Sequence, residues 1–401
     1  MPRPPPGRRR VRDVLVLFSA GCLPLPWIAA HALGGLGLPI EVVAAFAGLA
    51  ILGGAFLLTW ATELAERDMP QALALLMLAL VGVLPEYAVD LHFAWTAGHD
   101  LSYAPYAVAN MTGANRLLIG LGWAAVVLIA CWRSGSRELV IDRRRTLEIR
   151  FLLIATIYSF FIPLSGTINL FDAVVLFAIF AAYVAAALRG ESEQVALVGP
   201  PALIERAFGD RGRRIIALLL FLLAGYGIFI SAAPFADSLV EIGRSRRIDE
   251  FLLVQWVAPL ASESPEFLIA ILFALRLRGS LGIGALISSK VNQWTLLVGA
   301  IPVAFALSAQ SWRGLPLDER QTEELILTSA QSLLAIVVII DLRFSRFEAL
   351  VLAALFLGQF AFPSTEARYV FIAIYLALAA GMLLVGGAER RRGLWAALFG
   401  R

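Results

Sequence analysis

Apolar stretches of about 20 residues recur along the whole chain, and they decide what this sequence can fold into. A helix needs roughly 20 apolar residues to cross about 30 Å of hydrocarbon. Of the 401 residues, 60% are hydrophobic and 16% are charged, whereas soluble domains carry about a quarter charged residues. The sequence therefore predicts an all-α polytopic membrane protein. It excludes a soluble enzyme, a nucleic-acid-binding protein and a disulfide scaffold.

About 12 transmembrane helices are expected from these runs. Their predicted limits are 14–34, 39–64, 70–97, 102–131, 149–165, 168–188, 215–242, 250–275, 281–309, 322–342, 346–363 and 367–388. Several runs contain a proline or glycine, notably Pro85, Pro265 and the region of Gly113. A break is tolerated at such positions where neighbouring helices or a hydrated cavity satisfy the freed backbone groups.

The basic residues indicate how the chain is oriented. Of the 33 Lys and Arg residues, 25 fall on the side of the N-terminus, 6 on the opposite side and two within predicted spans. Because cytoplasmic loops carry an excess of basic residues, both termini are expected in the cytoplasm of a bacterial-type plasma (inner) membrane. The first helix is expected to be retained, although a cleaved signal peptide ending near Ala30-His31-Ala32 is an alternative.

The chain contains two related halves. Pro85-Glu86 matches Pro265-Glu266, and Asn115 matches Asn292 about one helix later. The third span enters from the cytoplasm and the eighth from outside, so the two copies are inverted. Inverted repeats that meet through interrupted helices are typical of secondary transporters, with the binding site near the midplane. One Pro-Glu pair could be a chance kink; two in antisymmetric positions argue against that reading.

These residues resemble the cation/calcium antiporters, typified by sodium/calcium exchangers. Each repeat of that family reads Gly-Thr-Ser-Leu-Pro-Glu on one helix and Gly-Asn-x-x-Gly-Ser-Asn-x-x-Asn or Asp on the next. The resemblance covers roughly residues 45–310. It implies a core of two inverted five-helix repeats of the sodium/calcium exchanger type, with a central site where two glutamates hold Na⁺ or Ca²⁺ in alternation.

The resemblance also implies a division of the chain. The expected parts are a basic N-terminus with an extra first helix (1–38), a first repeat (39–188, motif about 80–122), a cytoplasmic linker (189–214), a second repeat (215–363, motif about 258–300), and a last helix with a basic cytoplasmic tail (364–401).

Oxygen-bearing side chains of the two motifs form the expected cation site, since hard cations bind carboxylate, amide, hydroxyl and carbonyl oxygens. The family resemblance makes Glu86 and Glu266 the central metal ligands. The full expected set is Glu86, Asp90, Asn110, Thr112, Asn115, Ser262, Glu263, Glu266, Ser289, Asn292 and Gln293. By alignment through Asn115, the hydroxyl position of the first repeat is Thr112, and its amide position is an arginine, Arg116.

Two cations accompany these ligands: Arg116 and Lys290, the single lysine of the chain. With four carboxylates, they leave two net negative charges, enough for one divalent ion, two monovalent ions or two protons. The hypothesis is that both cations tune the site by replacing bound monovalent ions. The alternative is permanent ion pairing, with Glu263 or Glu86, that fixes helix packing.

A secondary active cation antiporter follows as the expected function, moving Ca²⁺ or Na⁺ against Na⁺ or H⁺ by alternating access. No cofactor is expected; the partners are the lipid bilayer and inorganic cations, and the chain is a monomer or a homodimer. A sodium/proton or other monovalent-cation antiporter is the main alternative. An intramembrane enzyme is disfavoured because no nucleophile or metal triad is present, and a non-transporting scaffold would require every buried charge to be paired.

Some polar residues outside the motifs carry less weight. Asp237 and Glu241, one turn apart near the end of the seventh span, fit a solvated helix end better than an ion path. His92 is not expected to join a metal site with Asp90, because the two point to different helix faces.

Overall fold

The computed structural model describes residues 6–34, 37–68, 83–189, 197, 199–385 and 387–399. Its α-helices in these ranges are α1 (Pro6–Cys22), α2 (Leu25–Ala32), α3 (Ile40–Ala65), α4 (Leu84–Ala97), α5 (Ala104–Leu117), α6 (Ala124–Ser134), α7 (Thr146–Ser159), α8 (Leu170–Ala187), α9 (Pro200–Ala207), α10 (Asp210–Arg246), α11 (Glu250–Leu275), α12 (Gly279–Asn292), α13 (Val298–Ser308), α14 (Glu319–Ile339), α15 (Arg346–Ala361), α16 (Thr365–Val385) and α17 (Gly387–Phe399).

Shorter elements connect some of these helices. They are four short strands, β1 (Glu138–Val140), β2 (Thr167–Ile168), β3 (Leu315–Pro316) and β4 (Arg343–Ser345), two π-helical segments (Leu118–Trp123 and Gln293–Leu297), and 3₁₀ turns at Glu66–Asp68, Leu101–Tyr103, Arg143–Arg145 and Ile162–Ser165. The π segments join α5 to α6 and α12 to α13 without a loop.

Ten helical segments of the described chain are long and apolar enough to cross a membrane, and they coincide with ten of the predicted spans. The all-α polytopic fold is therefore confirmed. The eleventh predicted span corresponds to α15, which has 16 residues. Of the third, residues 70–82 lie outside the described part of the chain, as do residue 69 and the linker residues 190–196 and 198. The C-terminal tail, expected only to be basic, forms the helix α17.

The chain forms two units, and the first consists of residues 1–92, 188–253 and 260–265. Within it, α3 and α10 pack along each other. Arg213, near the start of α10, pairs with Asp68 just after α3, at 2.8 Å. Arg246, at the end of α10, pairs with Glu41 at the start of α3. The two helices are therefore antiparallel. Since α3 opens the first predicted repeat and α10 opens the second, this is the relation that inversion requires.

The second unit consists of residues 93–187, 254–259 and 266–401. Here the repeats exchange equivalent contacts. In each repeat the third helix has two parts, α5 and α6 in the first repeat and α12 and α13 in the second. The first part packs against the fourth helix of the other repeat. Thus α5 packs against α14, and α12 packs against α7. The fifth helices do the same: α8 packs on α13, and α15 packs on α6. A two-fold internal symmetry produces this pattern.

The strands of the second unit show that the symmetry is an inversion. β1 lies between the third and fourth helices of the first repeat and pairs with β4, which lies between the fourth and fifth helices of the second. β2 and β3 make the reciprocal pair. Consecutive connections lie at opposite ends of the helix they flank, so equivalent connections of the two repeats lie at opposite ends. The two five-helix repeats are therefore inverted, as expected.

Packing around the first motif depends on Gly113. A Cβ atom at this position would lie 1.9 Å from the backbone oxygen of Gln255 on α11. That oxygen lacks its helical donor, because residue 259 is a proline and has no N–H group. The proline and the glycine together let a freed carbonyl of α11 face the backbone of α5.

Replacing Gly113 with alanine is expected to destabilise the protein by about 2 kcal/mol, because the added methyl group cannot fit without moving one helix. Thermal unfolding in detergent measures the effect. Gly225→Ala in α10 is the matched control, since a Cβ there meets nothing within 4 Å. Equal unfolding temperatures for the two variants would contradict the close approach.

Candidate functional site

The acidic residues of the Pro-Glu motifs are buried. In the first unit, Glu86, Asp90 and Glu263 are 2%, 0% and 2% exposed, and Ser262 is 8% exposed. Glu86 and Asp90 lie one turn apart on α4 and share a face. The four residues thus place three carboxylates in the interior of this unit, where a charged group requires compensation by a partner, a proton or a cation.

Pro85 and Pro265 act differently from the expected helix breaks. Pro85 occupies the first turn of α4 as described, where a missing N–H group costs nothing. Pro265 lies in the continuous helix α11 and removes the donor for the carbonyl of Ala261. The proline therefore frees a backbone oxygen one turn before Glu266 without ending the helix.

The helices that carry the asparagines widen instead. The α5 helix runs through Gly113, and the π segment begins at Leu118, three residues after Asn115. In the second repeat the π segment begins at Gln293, directly after Asn292. Single π turns inside α-helices are frequent at functional sites, and they leave backbone carbonyls without helical donors. Each repeat thus places its motif asparagine next to a widened turn.

The second unit contains the remaining expected ligands. Asn110, Thr112 and Asn115 are 0% exposed, and Asn292 and Gln293 are 3% and 1% exposed. Ser289, which is half-buried, accepts a hydrogen bond from the Gln293 amide at 3.4 Å. The structure thus brings a hydroxyl and an amide of the second motif together, one turn apart on the same helix.

Lys290 contacts the asparagine of the opposite repeat. Its ammonium lies 2.8 Å from Oδ1 of Asn115 and 3.0 Å from the Asn115 backbone oxygen. It also lies 4.6 Å from the centre of the Trp294 ring, within the range of a cation–π interaction. The amide oxygen expected to bind a cation therefore binds an ammonium.

Arg116 has an ion-pair partner outside the expected set. Its Nη2 atom lies 2.6 Å from Oε2 of Glu324 on α14, and both side chains are buried. The guanidinium also donates to Gln359 on α15 at 3.1 Å and lies 5.1 Å from the ring centre of Trp256. The positive charge of Arg116 is thus balanced by Glu324, not by the motif glutamates.

A buried polar network surrounds this ion pair. Its further members are Gln255, Glu323, Gln331, Gln359, Arg368 and Tyr375. Gln255 donates to both Glu324 and Thr112, at 3.1 and 3.3 Å, so the network reaches one of the expected cation ligands. Gln331 donates to the backbone oxygen of Arg116 at 3.1 Å, which lies just before the first π segment.

The sequence contains a signal for two of the acidic residues in this network. Glu323 and Glu324 lie in an apolar span, where acidic residues mark function by default. Arg368, near the start of α16, is 7% exposed and lies 2.6 Å from Glu323. In the first unit, His92 and Asp237 form a pair at 2.9 Å that helix periodicity does not reveal.

No group of three or more His, Cys, Asp or Glu side chains that could hold a metal ion occurs among residues 6–34, 37–68, 83–189, 197, 199–385 and 387–399. The asparagines, hydroxyls and freed carbonyls of the motifs provide neutral oxygens, which hard cations bind besides carboxylates.

Comparison with known proteins agrees with this architecture. A family model described as sodium/calcium exchanger protein matches residues 40–189 and 216–364, the two repeats. The crystal structure of the H⁺/Ca²⁺ exchanger CAX is 44% identical, with a TM-score of 0.91 over 97% of this chain and 98% of that one.

More distant structures share the fold. The native YfkE structure is 16% identical, with a TM-score of 0.63 over 91% of this chain and 99% of that one. The sodium-calcium exchanger NCX_Mj is 18% identical, with a TM-score of 0.53 over 80% of this chain and 97% of that one.

One curated protein also matches, over a short region. The probable potassium transport system protein Kup of Rhodococcus jostii (strain RHA1) is 29% identical over 150 residues, which are 35% of this chain and 21% of that protein. The match thus spans about a fifth of the length of that relative.

Substituting Glu324 with glutamine should destabilise the protein by about 3 kcal/mol, because it leaves the Arg116 guanidinium buried without its counter-charge. Neutralising Arg116 as well, in the Arg116→Gln/Glu324→Gln double variant, is expected to recover part of the loss. Thermal unfolding of the purified protein measures both changes.

Glu138→Gln provides the control, because its pair with Arg343 is solvent-exposed, with 39% and 57% of the side chains accessible. Such pairs contribute less than about 1 kcal/mol. If Glu324→Gln unfolds at the same temperature as this control, Glu324 is not what compensates Arg116.

Proposed function

Because the chain belongs to the sodium/calcium exchanger protein family, we propose that it exchanges Ca²⁺ for H⁺ across the membrane by alternating access. At the level of the family, it is a cation/calcium antiporter and not an enzyme. The choice of ions is supported by the 44% identity to the H⁺/Ca²⁺ exchanger CAX, which extends over 97% of this chain.

The proposed ligands of the transported cation are the two motif carboxylates, Glu86 and Glu266. Repeat symmetry supports this choice, since each follows a proline at the equivalent position of its repeat. The remaining proposed ligands are Asp90, Asn110, Thr112, Asn115, Ser262, Glu263, Ser289, Asn292 and Gln293. An ion bound by one set of carboxylates can be replaced by protons on the same groups, and this mutual exclusion is what couples the two fluxes.

The burial of these carboxylates supports ion exchange, because an ionised carboxylate out of water needs compensation, and a bound cation or a proton can contribute to it. An ionised group taken out of water costs several kcal/mol unless it is compensated. Release of Ca²⁺ therefore favours protonation of the same carboxylates, and rebinding of Ca²⁺ favours deprotonation. The residues present supply both the oxygens for a divalent ion and the acidic groups for the returning protons.

A monovalent-cation antiporter is the second candidate, and one observation favours it. The ammonium of Lys290 adds a fixed positive charge next to Asn115, which reduces the negative charge available to a divalent ion. A sodium/proton exchange uses the same residues and the same alternating access.

The proposed location is a bacterial-type inner membrane with both termini in the cytoplasm. The excess of basic residues on the side of the N-terminus supports it. In that orientation the β1–β4 sheet lies at the cytoplasmic end of the helices, because Arg343 belongs to β4 and the 3₁₀ turn Arg143–Arg145 follows β1.

Uptake of radiolabelled ions into proteoliposomes separates the two candidates. With the lumen acidic and no Na⁺ present, Ca²⁺ is expected to accumulate and then to leak out when a protonophore collapses the gradient. Na⁺ uptake under the same gradient, without Ca²⁺ uptake, would support the monovalent exchanger instead. Absence of both fluxes would contradict an antiporter.

Substitution of either central carboxylate is expected to abolish uptake. Glu86→Gln and Glu266→Gln keep the shape of the side chain but remove the charge that binds Ca²⁺ and the group that binds H⁺. Glu319→Gln is the control, because this acid is exposed at the start of α14. Uptake that survives in either site variant would show that the exchanged ions bind elsewhere.

A further inference from the structure

The Lys290 ammonium lies where a bound metal cation would find ligands. The side chain is 0% exposed. Its three N–H donors have two oxygens of one residue within hydrogen-bond distance, Oδ1 of Asn115 at 2.8 Å and the Asn115 backbone oxygen at 3.0 Å. An amide oxygen and a backbone carbonyl are oxygen ligands of the type that hard cations bind.

The two oxygens are held in place for a cation. The amide nitrogen of Asn115 donates to the carbonyl of Met111 at 2.8 Å, which directs Oδ1 towards the ammonium. The Asn115 carbonyl lies three residues before the π segment at Leu118. The face of Trp294, at 4.6 Å from the ammonium, closes a third direction with the negative side of its ring quadrupole.

The lysine is present in one repeat only. Aligning Asn115 with Asn292 places Lys290 opposite Gly113, which has no side chain. The ammonium therefore crosses from the second repeat to the asparagine of the first. Arg116 contacts a different residue, Glu324, at 2.6 Å.

We propose that Lys290 is a tethered monovalent cation that permanently fills a position on Asn115 where a Na⁺ or K⁺ ion would otherwise bind. The inference rests on the proposed antiport function and specifies its coupling: the wild-type protein needs no monovalent metal ion to transport Ca²⁺. A compact ammonium on a flexible stem suits this role, because it carries one point charge and only donors.

The test replaces the tethered charge with a neutral side chain of similar length, in Lys290→Gln. Ca²⁺ uptake into proteoliposomes is measured with N-methylglucamine, Na⁺ or K⁺ as the monovalent cation. We expect wild-type uptake to be the same in all three media. The variant should lose most of its uptake in N-methylglucamine. Its uptake in Na⁺ or K⁺ should be about tenfold faster than in N-methylglucamine, which is a typical coupling between two bound ligands.

A binding measurement keeps this inference separate from the proposed function. Without any transport assay, Na⁺ or K⁺ should raise the unfolding temperature of Lys290→Gln saturably, because a ligand that binds only the folded state stabilises it. The wild-type protein and Lys290→Arg, which retain the charge, should show no such saturable shift. Stabilisation without Ca²⁺ flux in any protein would overturn the proposed function but not the tethered cation.

Two control variants test whether the effect is specific to Lys290 and Asn115. Arg343→Gln removes an exposed cation, 57% accessible, and should leave uptake independent of Na⁺. Adding Asn115→Ala to Lys290→Gln should remove the ion-dependent stabilisation. The proposal is overturned if Lys290→Gln transports Ca²⁺ equally in N-methylglucamine and Na⁺, or if Na⁺ and K⁺ neither restore its uptake nor stabilise it. A variant that remains unfolded in Na⁺ and in K⁺ also counts against it.

Discussion

A charge inside hydrocarbon must be compensated within the protein, and this requirement organises the described structure. Arg116 and Lys290 lie in apolar helices, where an isolated cation costs several kcal/mol. Arg116 is balanced by Glu324 at 2.6 Å, and Lys290 is bound by two oxygens of Asn115. The first contact links the third helix of one repeat to the fourth helix of the other. The second links the two third helices. Both contacts therefore lie where the symmetry of the repeats brings related segments together.

Prolines and π turns interrupt the backbone hydrogen bonding of the helices that carry the motifs. Two prolines in α11 remove N–H donors without ending the helix, and the two π segments widen the helices that carry Asn115 and Asn292. Each device frees carbonyl oxygens in the interior, where no water replaces the lost donor. Some of these oxygens accept bonds from side chains, as the Arg116 carbonyl does from Gln331. In the proposed site, the others would add neutral ligands for a cation to the carboxylates of Glu86 and Glu266.

Much of the fold follows from the sequence, because hydrophobic run length and the repeated Pro-Glu and Asn motifs depend on local pattern. The ion-pair network does not. Glu324, Gln359 and Arg368 lie up to about 250 residues from Arg116 in the chain. Their contacts arise only when α14 packs on α5, α15 on the first π segment and α6, and α16 on α14. The sequence pattern does not predict the π segments either. At the first one, a freed carbonyl is bound by a side chain of another helix, Gln331 on α14, and such a contact arises only from packing. The burial of the site residues can be predicted from their position in an apolar span. The partner of each charged residue cannot, because it depends on how the helices of the two repeats pack.

In the proposed exchange, Ca²⁺ and H⁺ compete for the same buried carboxylates. Calorimetric titration of the purified protein with Ca²⁺, in buffers of different ionisation enthalpy, counts the protons released on binding. The account predicts release of about two protons for each Ca²⁺ bound, since linked binding to shared groups exchanges one ligand for the other. It also predicts that Glu266→Gln reduces this number. Binding of Ca²⁺ with no release of protons would contradict the account.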